Sequence, residues 1–321
     1  MKPVEINEVD RVEILTLQDN YIDMVAFDNN QVVRRALPFK ENELRLSLLA
    51  EHGFSALFTV TKGTRSESIL FDFGFSDHGA AFNVDVLGVD LGSLSGAVLS
   101  HGHPDHIGGL AQLFKKISKK DFDLVLHPAV FRSPRYIKTL EGLQINMPSI
   151  TRKDLAAAGA RIVESKGPYP LLDGRIVFLG QIPRKTSFEK GLPGAHYKAD
   201  GIERIDDLAD DTGIVANVSG RGLVILSGCG HAGIINTIKH ATSITGVDSV
   251  FAVMGGFHLS GPQMAPVIEP TVNALKEIAP DYVIPTHCTG RDAVGQIEES
   301  MPEKFILNMV GTTLTFSSES N

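Results

Sequence analysis

Ser100-His101-Gly102-His103-Pro104-Asp105-His106-Ile107-Gly108-Gly109 is the stretch on which the reading of this chain turns. It places four metal-ligating side chains within six residues, in a chain of 321 residues that holds only 11 histidines. Two histidines at i and i+2 cannot share one face of a helix, but they converge where the backbone is extended or turning. Pro104 disfavours the helical conformation at His103, and Gly102 lets the chain bend. The apolar run Ala97–Ser100 before the cluster reads as a buried strand. After it, Ile107, Leu110, Leu113, Phe114 and Ile117 keep helical spacing, which predicts a helix over 107–117. His101 and His103 should therefore project from a strand end, with Asp105 and His106 at the helix entrance. Neutral imidazoles and one carboxylate form a nitrogen and oxygen donor set suited to one or two divalent transition ions, Zn(II) first, with Fe or Mn as alternatives.

Outward from this cluster, short apolar runs recur in two groups. Val12–Leu17, Phe54–Val60 and Ser68–Phe73 read as strands, the last two as a hairpin across Thr61–Glu67. Leu124–His127, Arg161–Val163 and Arg175–Leu179 follow. The last third alternates strand and helix: Leu223–Ser227, a helix Gly233–Thr242, Ser249–Met254, a helix Pro266–Ile278, Tyr282–Pro285 and a final strand over Lys304–Phe316. Pro183–Asp211 is polar and lacks periodicity, so it reads as a long loop or lid near a site. No Pro/Ser-rich linker divides the chain. The expected architecture is one α/β domain over residues 1–321, with two mixed sheets packed face to face and helices outside.

Composition narrows the function. The chain is 43% hydrophobic and 21% charged, which excludes global disorder. A net charge of −8 argues against a protein that coats nucleic acid phosphates. Two cysteines exclude a disulfide framework and suit a reducing compartment. With neither a signal-type N-terminus nor a run of about 18 apolar residues, a cytoplasmic protein off the membrane is expected.

The H-x-H-x-D-H run behind a hydrophobic strand resembles the metallo-β-lactamase superfamily. Leu70-Phe71-Asp72-Phe73-Gly74 is similar to that family's strand ending in Asp-x-Gly. His231 in LSGCGHAGI, His258 in VMGGFHLSG and His287 in VIPTHCTG each lie just past an apolar run. The wording of Ala50–Ser55, GCGHAGIINTI, GGFHL, PTHCTG and GTTLTF resembles the subgroup named dihydropterin ribofuranosylaminobenzene-phosphate synthase-like, from about Asn20 to Phe316. The resemblance implies a four-layer αβ/βα sandwich. It implies His101, His103, Asp105, His106, His231 and His287 as metal ligands, with His231 alternatively a helix cap. It also implies catalysis by Asp105, with His258 as proton carrier, substrate contact or further ligand. Asp72 would orient a ligand imidazole through its free N–H.

One departure stands out. Many members carry Gly-Asp at a strand end, and that Asp bridges two metals; here the chain reads Gly228-Cys229-Gly230-His231. Either Cys229 is a thiolate ligand or it only packs. Asp210 or Asp211 is an alternative carboxylate, and a mononuclear site is open. His52, Lys185 and Glu189 are candidate substrate contacts, the lysine (with Arg184) suiting an anionic small molecule. The expected activity is metal-dependent hydrolysis of an ester, phosphodiester, lactone or related electrophile. Alternatives are a pterin-type synthase, dehalogenase or iron-dependent oxidoreductase on the same scaffold, or a metal-free ligand-binding module.

Overall fold

The computed structural model describes residues 4–37, 39–117 and 122–318. An eight-stranded sheet runs in the order Ala160–Glu164, Phe122–Leu126, Gly96–Val98, Arg65–Phe71, Ser55–Lys62, Arg11–Gln18, Thr313–Ser317, Val33–Arg34. Its first four strands are parallel and the rest antiparallel. A seven-stranded sheet runs Tyr169–Leu171, Ile176–Phe178, Gly213–Val218, Gly222–Ser227, Val250–Gly256, Tyr282–Thr286, with Glu8–Val9 also parallel to Gly213–Val218.

Strand alternation assigns each residue to a layer. In Gly222–Ser227, Val224 and Leu226 enter the core between the sheets, while Leu223 and Ile225 face the helices Ile234–Thr245, Ala265–Ile278 and Arg291–Ser300. In Arg65–Phe71, Ile69 and Phe71 point between the sheets and Leu70 points to the helices Gly79–Leu87 and Leu110–Lys116. Each such fully buried Ile, Leu or Phe contributes about 1.5–3 kcal/mol. The result is the expected four-layer αβ/βα sandwich.

Three expectations change. The helix foreseen over 107–117 is two, Pro104–Ile107 and Leu110–Lys116. At the break, a Cβ on Gly108 would lie 1.6 Å from the Phe75 carbonyl oxygen, so only glycine lets these backbones touch. The final strand is confined to Thr313–Ser317; upstream, Phe305 makes only an isolated bridge to Val283. The stretch 183–211 is not a bare loop. It contains the hairpin Ala195–Ala199/Ile202–Ile205, which extends Arg135–Lys138 and Gln144–Met147 into a four-stranded sheet. No helix of the described residues is long and apolar enough to cross a membrane.

Candidate metal centre

Parallel pairing aligns Ser227 with Gly255 and Gly256 with Thr286, so three strands of one sheet end at one edge. Cys229, His231, His258 and His287 follow those ends. On the other sheet, Asp72 and His101–His106 follow Arg65–Phe71 and Gly96–Val98, which are parallel neighbours. His103 is extended, at φ −82° and ψ 153°, as Pro104 requires. Asp72, His258 and His287 adopt positive φ of 57°, 46° and 49°. Such strain in non-glycine residues gathers at functional sites.

Two groups of donors result. His231 Nε2 lies 3.2 Å from His101 Nε2 and 3.1 Å from His103 Nδ1. His287 Nε2 lies 3.1 Å from Asp105 Oδ2 and 3.2 Å from His106 Nε2. Donors at about 2.05 Å on a tetrahedral ion are about 3.3 Å apart, so these separations fit a divalent cation. The Cys229 sulfur falls within 4.8 Å of Asp105, His106 and His287 donors, and likewise of His101 and His231 donors.

Four of the five imidazoles are held in the neutral form that ligation requires. Burial, aided by neighbouring imidazoles, holds His101 and His231 well below the ordinary histidine range. Burial also brings His103 and His287 down to about 4, so their lone pairs are free. At His106 burial is outweighed by Asp72 and Asp105, and its pKa rises. Asp105 is raised by burial, yet His106 and His287 more than offset this and keep it ionised.

The outer bonds fix ring orientation. His106 Nδ1 donates to Asp72 Oδ2 at 2.6 Å, and Ser100 N donates to Asp72 Oδ1 at 2.7 Å. Such a carboxylate fixes the tautomer of a ligating histidine and raises its basicity.

Comparison with known proteins follows this geometry. A sequence profile described as "Metallo-beta-lactamase superfamily" matches residues 53–131. A protein of Methanocaldococcus jannaschii named 7,8-dihydropterin-6-methyl-4-(beta-D-ribofuranosyl)-aminobenzene-5'-phosphate synthase is 30% identical over 316 residues, 98% of this chain and 99% of its own. The chain belongs to the metallo-beta-lactamase superfamily. An uncharacterized protein of the same organism is 28% identical, covering 84% of this chain and 96% of its own length. Among solved structures, Tm1679, described as a metal-dependent hydrolase of the beta-lactamase superfamily, shares the fold. Its TM-score is 0.70 at 23% identity, with 96% of this chain and 100% of that chain covered.

Within the superfamily frame, neither Asp210 nor Asp211 joins the donor groups. Asp210 accepts from Gly102 N at 2.9 Å and from both terminal nitrogens of buried Arg135, at 2.8 and 2.5 Å. It thereby ties the four-stranded sheet to the ligand loop. Asp211 Oδ2 accepts from Ala232 N at 2.8 Å, and burial raises its carboxyl to about 6. His258 packs against His231 with ring centroids 4.4 Å apart and planes tilted by 50°, and it lines a cavity of about 290 Å³ with Lys138, Leu192, Pro193 and Met264. His52 is exposed, its Nε2 3.7 Å from Asp105 Oδ2.

Glu189 and Lys185 both bond to the start of the helix Ile234–Thr245. Glu189 is buried, and its oxygens accept from Ile235 N at 2.8 Å, Asn236 N at 2.9 Å and Thr186 Oγ1 at 2.9 Å. It caps the helix Ile234–Thr245 and also lines a small pocket with His231 and His258. Lys185 is exposed; its backbone N–H donates to Asn236 Oδ1 at 2.8 Å, and its charge acts on His240, whose ring bonds the Leu179 carbonyl. Two residues beside the site carried no sequence signal. Asp19 Oδ1 accepts from His287 N at 2.9 Å, and Asn20 contacts His287 O at 2.9 Å, His287 Nδ1 at 3.3 Å and His52 Nδ1 at 3.1 Å. Both stand at an ordinary polar strand end.

Proposed function

We propose that this chain, acting as one domain, is a hydrolase that works with two bound divalent ions on a small anionic ester, phosphodiester, lactone or related electrophile. The observation that carries the reading is the convergence of two donor groups, His101/His103/His231 and Asp105/His106/His287, at one edge of the sandwich. Divalent ions bound there would supply Lewis acidity, polarising a substrate oxygen and making water more acidic. Asp105, ionised by its imidazole neighbours, accepts a hydrogen bond and so orients the attacking water. The proton moves to a neutral imidazole: His258, held below its ordinary range by burial, is one acceptor, and exposed His52 provides a route to solvent. The cavity beside His258 offers Leu192, Pro193 and Met264 for an apolar substrate portion; its Lys138 is paired with Glu203 at 2.6 Å. Two free cysteines suit the reducing cytoplasm.

A second reading rests on the full-length relative named as a synthase: the aminobenzene nitrogen of a ribofuranosyl phosphate displaces a leaving group from the 6-methyl carbon of an activated dihydropterin, and the amine proton passes to a neutral imidazole. One experiment separates them. Protein loaded in turn with zinc, manganese and iron is assayed on a phosphodiester, a lactone and a thioester, and on the dihydropterin with the aminobenzene partner. Chelator-sensitive hydrolysis supports the first reading. Product from the pterin pair without ester hydrolysis replaces it by the second, and inactivity on every substrate with both donor groups metal-loaded counts against the hydrolase.

A further inference from the structure

We infer that Cys229 is a thiolate shared by the two donor groups, occupying the position of the bridging aspartate that this chain lacks. The inference rests on the two-ion reading above and specifies its centre. A single sulfur belongs to both clusters: one comprises Asp105, His106, Cys229 and His287, the other His101, Cys229 and His231, with donor atoms in each within 4.8 Å of one another. His103 joins the second through His231, at 3.1 Å.

The packing alternative makes a different demand. A cysteine retained as a small apolar filler belongs among apolar side chains. Cys229 is only 2% exposed, yet it is a member of none of the three apolar clusters that form the layers. Its surroundings are the Cys288 thiol together with imidazole and carboxylate groups.

The backbone is built to hold the sulfur there. A Cβ on Gly228 would lie 2.1 Å from Ser100 Oγ, and one on Gly230, at φ +67°, would lie 2.5 Å from the Gly256 carbonyl oxygen. The turn is thus pressed between the first ligand loop and the neighbouring strand end. Cys288 Sγ–H donates to the Cys229 carbonyl at 3.2 Å, bracing the turn from a third side.

The arithmetic of a bridge also closes. Two ions about 3.5–4 Å apart, each about 2.3 Å from one sulfur, subtend roughly 100–120° at that sulfur, an ordinary angle for a two-coordinate thiolate. On ion binding the Cys229 S–H bond breaks, its proton leaves to solvent, and the sulfur electron pairs form the two metal bonds. No oxidant or reductant is required.

Cobalt(II) substitution tests the bridge without any turnover. Wild-type protein should bind two cobalt ions per chain and show thiolate-to-cobalt charge transfer in the near ultraviolet. Cys229→Ser should lose that band, and Cys288→Ser should keep it. Cys229→Asp should bind two ions with no band, showing that a carboxylate restores the bridge. Two bound ions with no band in the wild type, or a band surviving Cys229→Ser, would overturn the thiolate bridge and leave the two-ion reading standing. Absence of any bound ion in the folded wild type would instead remove both. Near-ultraviolet circular dichroism of the metal-free variants guards against misfolding. Should Cys229→Ser not fold, Cys229→Asp alone decides, by presence or absence of the band at equal cobalt content.

Discussion

At Asp105 a structural role and a chemical role make opposite forecasts. It occupies the first turn of the short helix Pro104–Ile107, and its Oδ2 faces His287 Nε2 at 3.1 Å, His106 Nε2 at 3.6 Å and His52 Nε2 at 3.7 Å. Asn keeps the shape and caps or packs much as Asp does, but removes the charge. Asp105→Asn should therefore melt within a few degrees of wild type and lose at least about a hundredfold in kcat at saturating metal, the scale of a lost proton-transfer or orienting group. Near-native turnover would reduce Asp105 to a helix-end residue and leave His258 to manage the proton. Asp72 gives a second forecast: Asp72→Asn tolerates the positive φ yet removes the charge and leaves one acceptor oxygen for both Ser100 N and His106 Nδ1. Metal affinity, measured by competition with a chelator, should fall about 10–100-fold; unchanged affinity would mean that Asp72 does not orient the ring. The candidate donors were legible because four lay within six residues and the others followed apolar runs. Asp19 and Asn20 were not, because their contact with His287 spans more than 260 residues and leaves no local pattern.

At the scale of elements, the cap on the helix Ile234–Thr245 gives Glu189 a structural role that its unpatterned stretch did not announce. Glu189 looked like a substrate contact because no periodicity surrounded it. Its partners are backbone amides some 46 residues away, which sequence spacing cannot show. Glu189→Ala should cost roughly 0.5–2 kcal/mol of stability in urea unfolding, the range for a lost helix cap, while KM stays unchanged. A raised KM at unchanged stability would return Glu189 to the substrate. Strands in the last third were readable from apolar runs bounded by glycine. The helix Arg291–Ser300 was not, since only Ala293 and Ile297 of its ten residues are buried. Gly79–Leu87 has the same difficulty in another form, with buried Gly79, Ala80, Ala81, Asn83 and Val84 blurring any single apolar face. The hairpin at 195–205 escaped because Ile202–Ile205 is exposed throughout, leaving no alternation to detect.

For the whole molecule, two sheets buried on both faces bring strand ends distant in sequence to one edge. His101 and His287 lie 186 residues apart in the chain, yet His106, five residues from His101, is 3.2 Å from His287. The layer order followed from the grouping of apolar runs, whereas the pairing of particular donors required the register of Gly222–Ser227, Val250–Gly256 and Tyr282–Thr286. The central claim is that this edge holds two ions. Anomalous diffraction from a crystal of the zinc-loaded protein tests it most directly. Two peaks about 3.5–4 Å apart are expected, one among His101, His103 and His231 and the other among Asp105, His106 and His287. A crystal with no peak at this edge, or with ions bound only elsewhere, would contradict it.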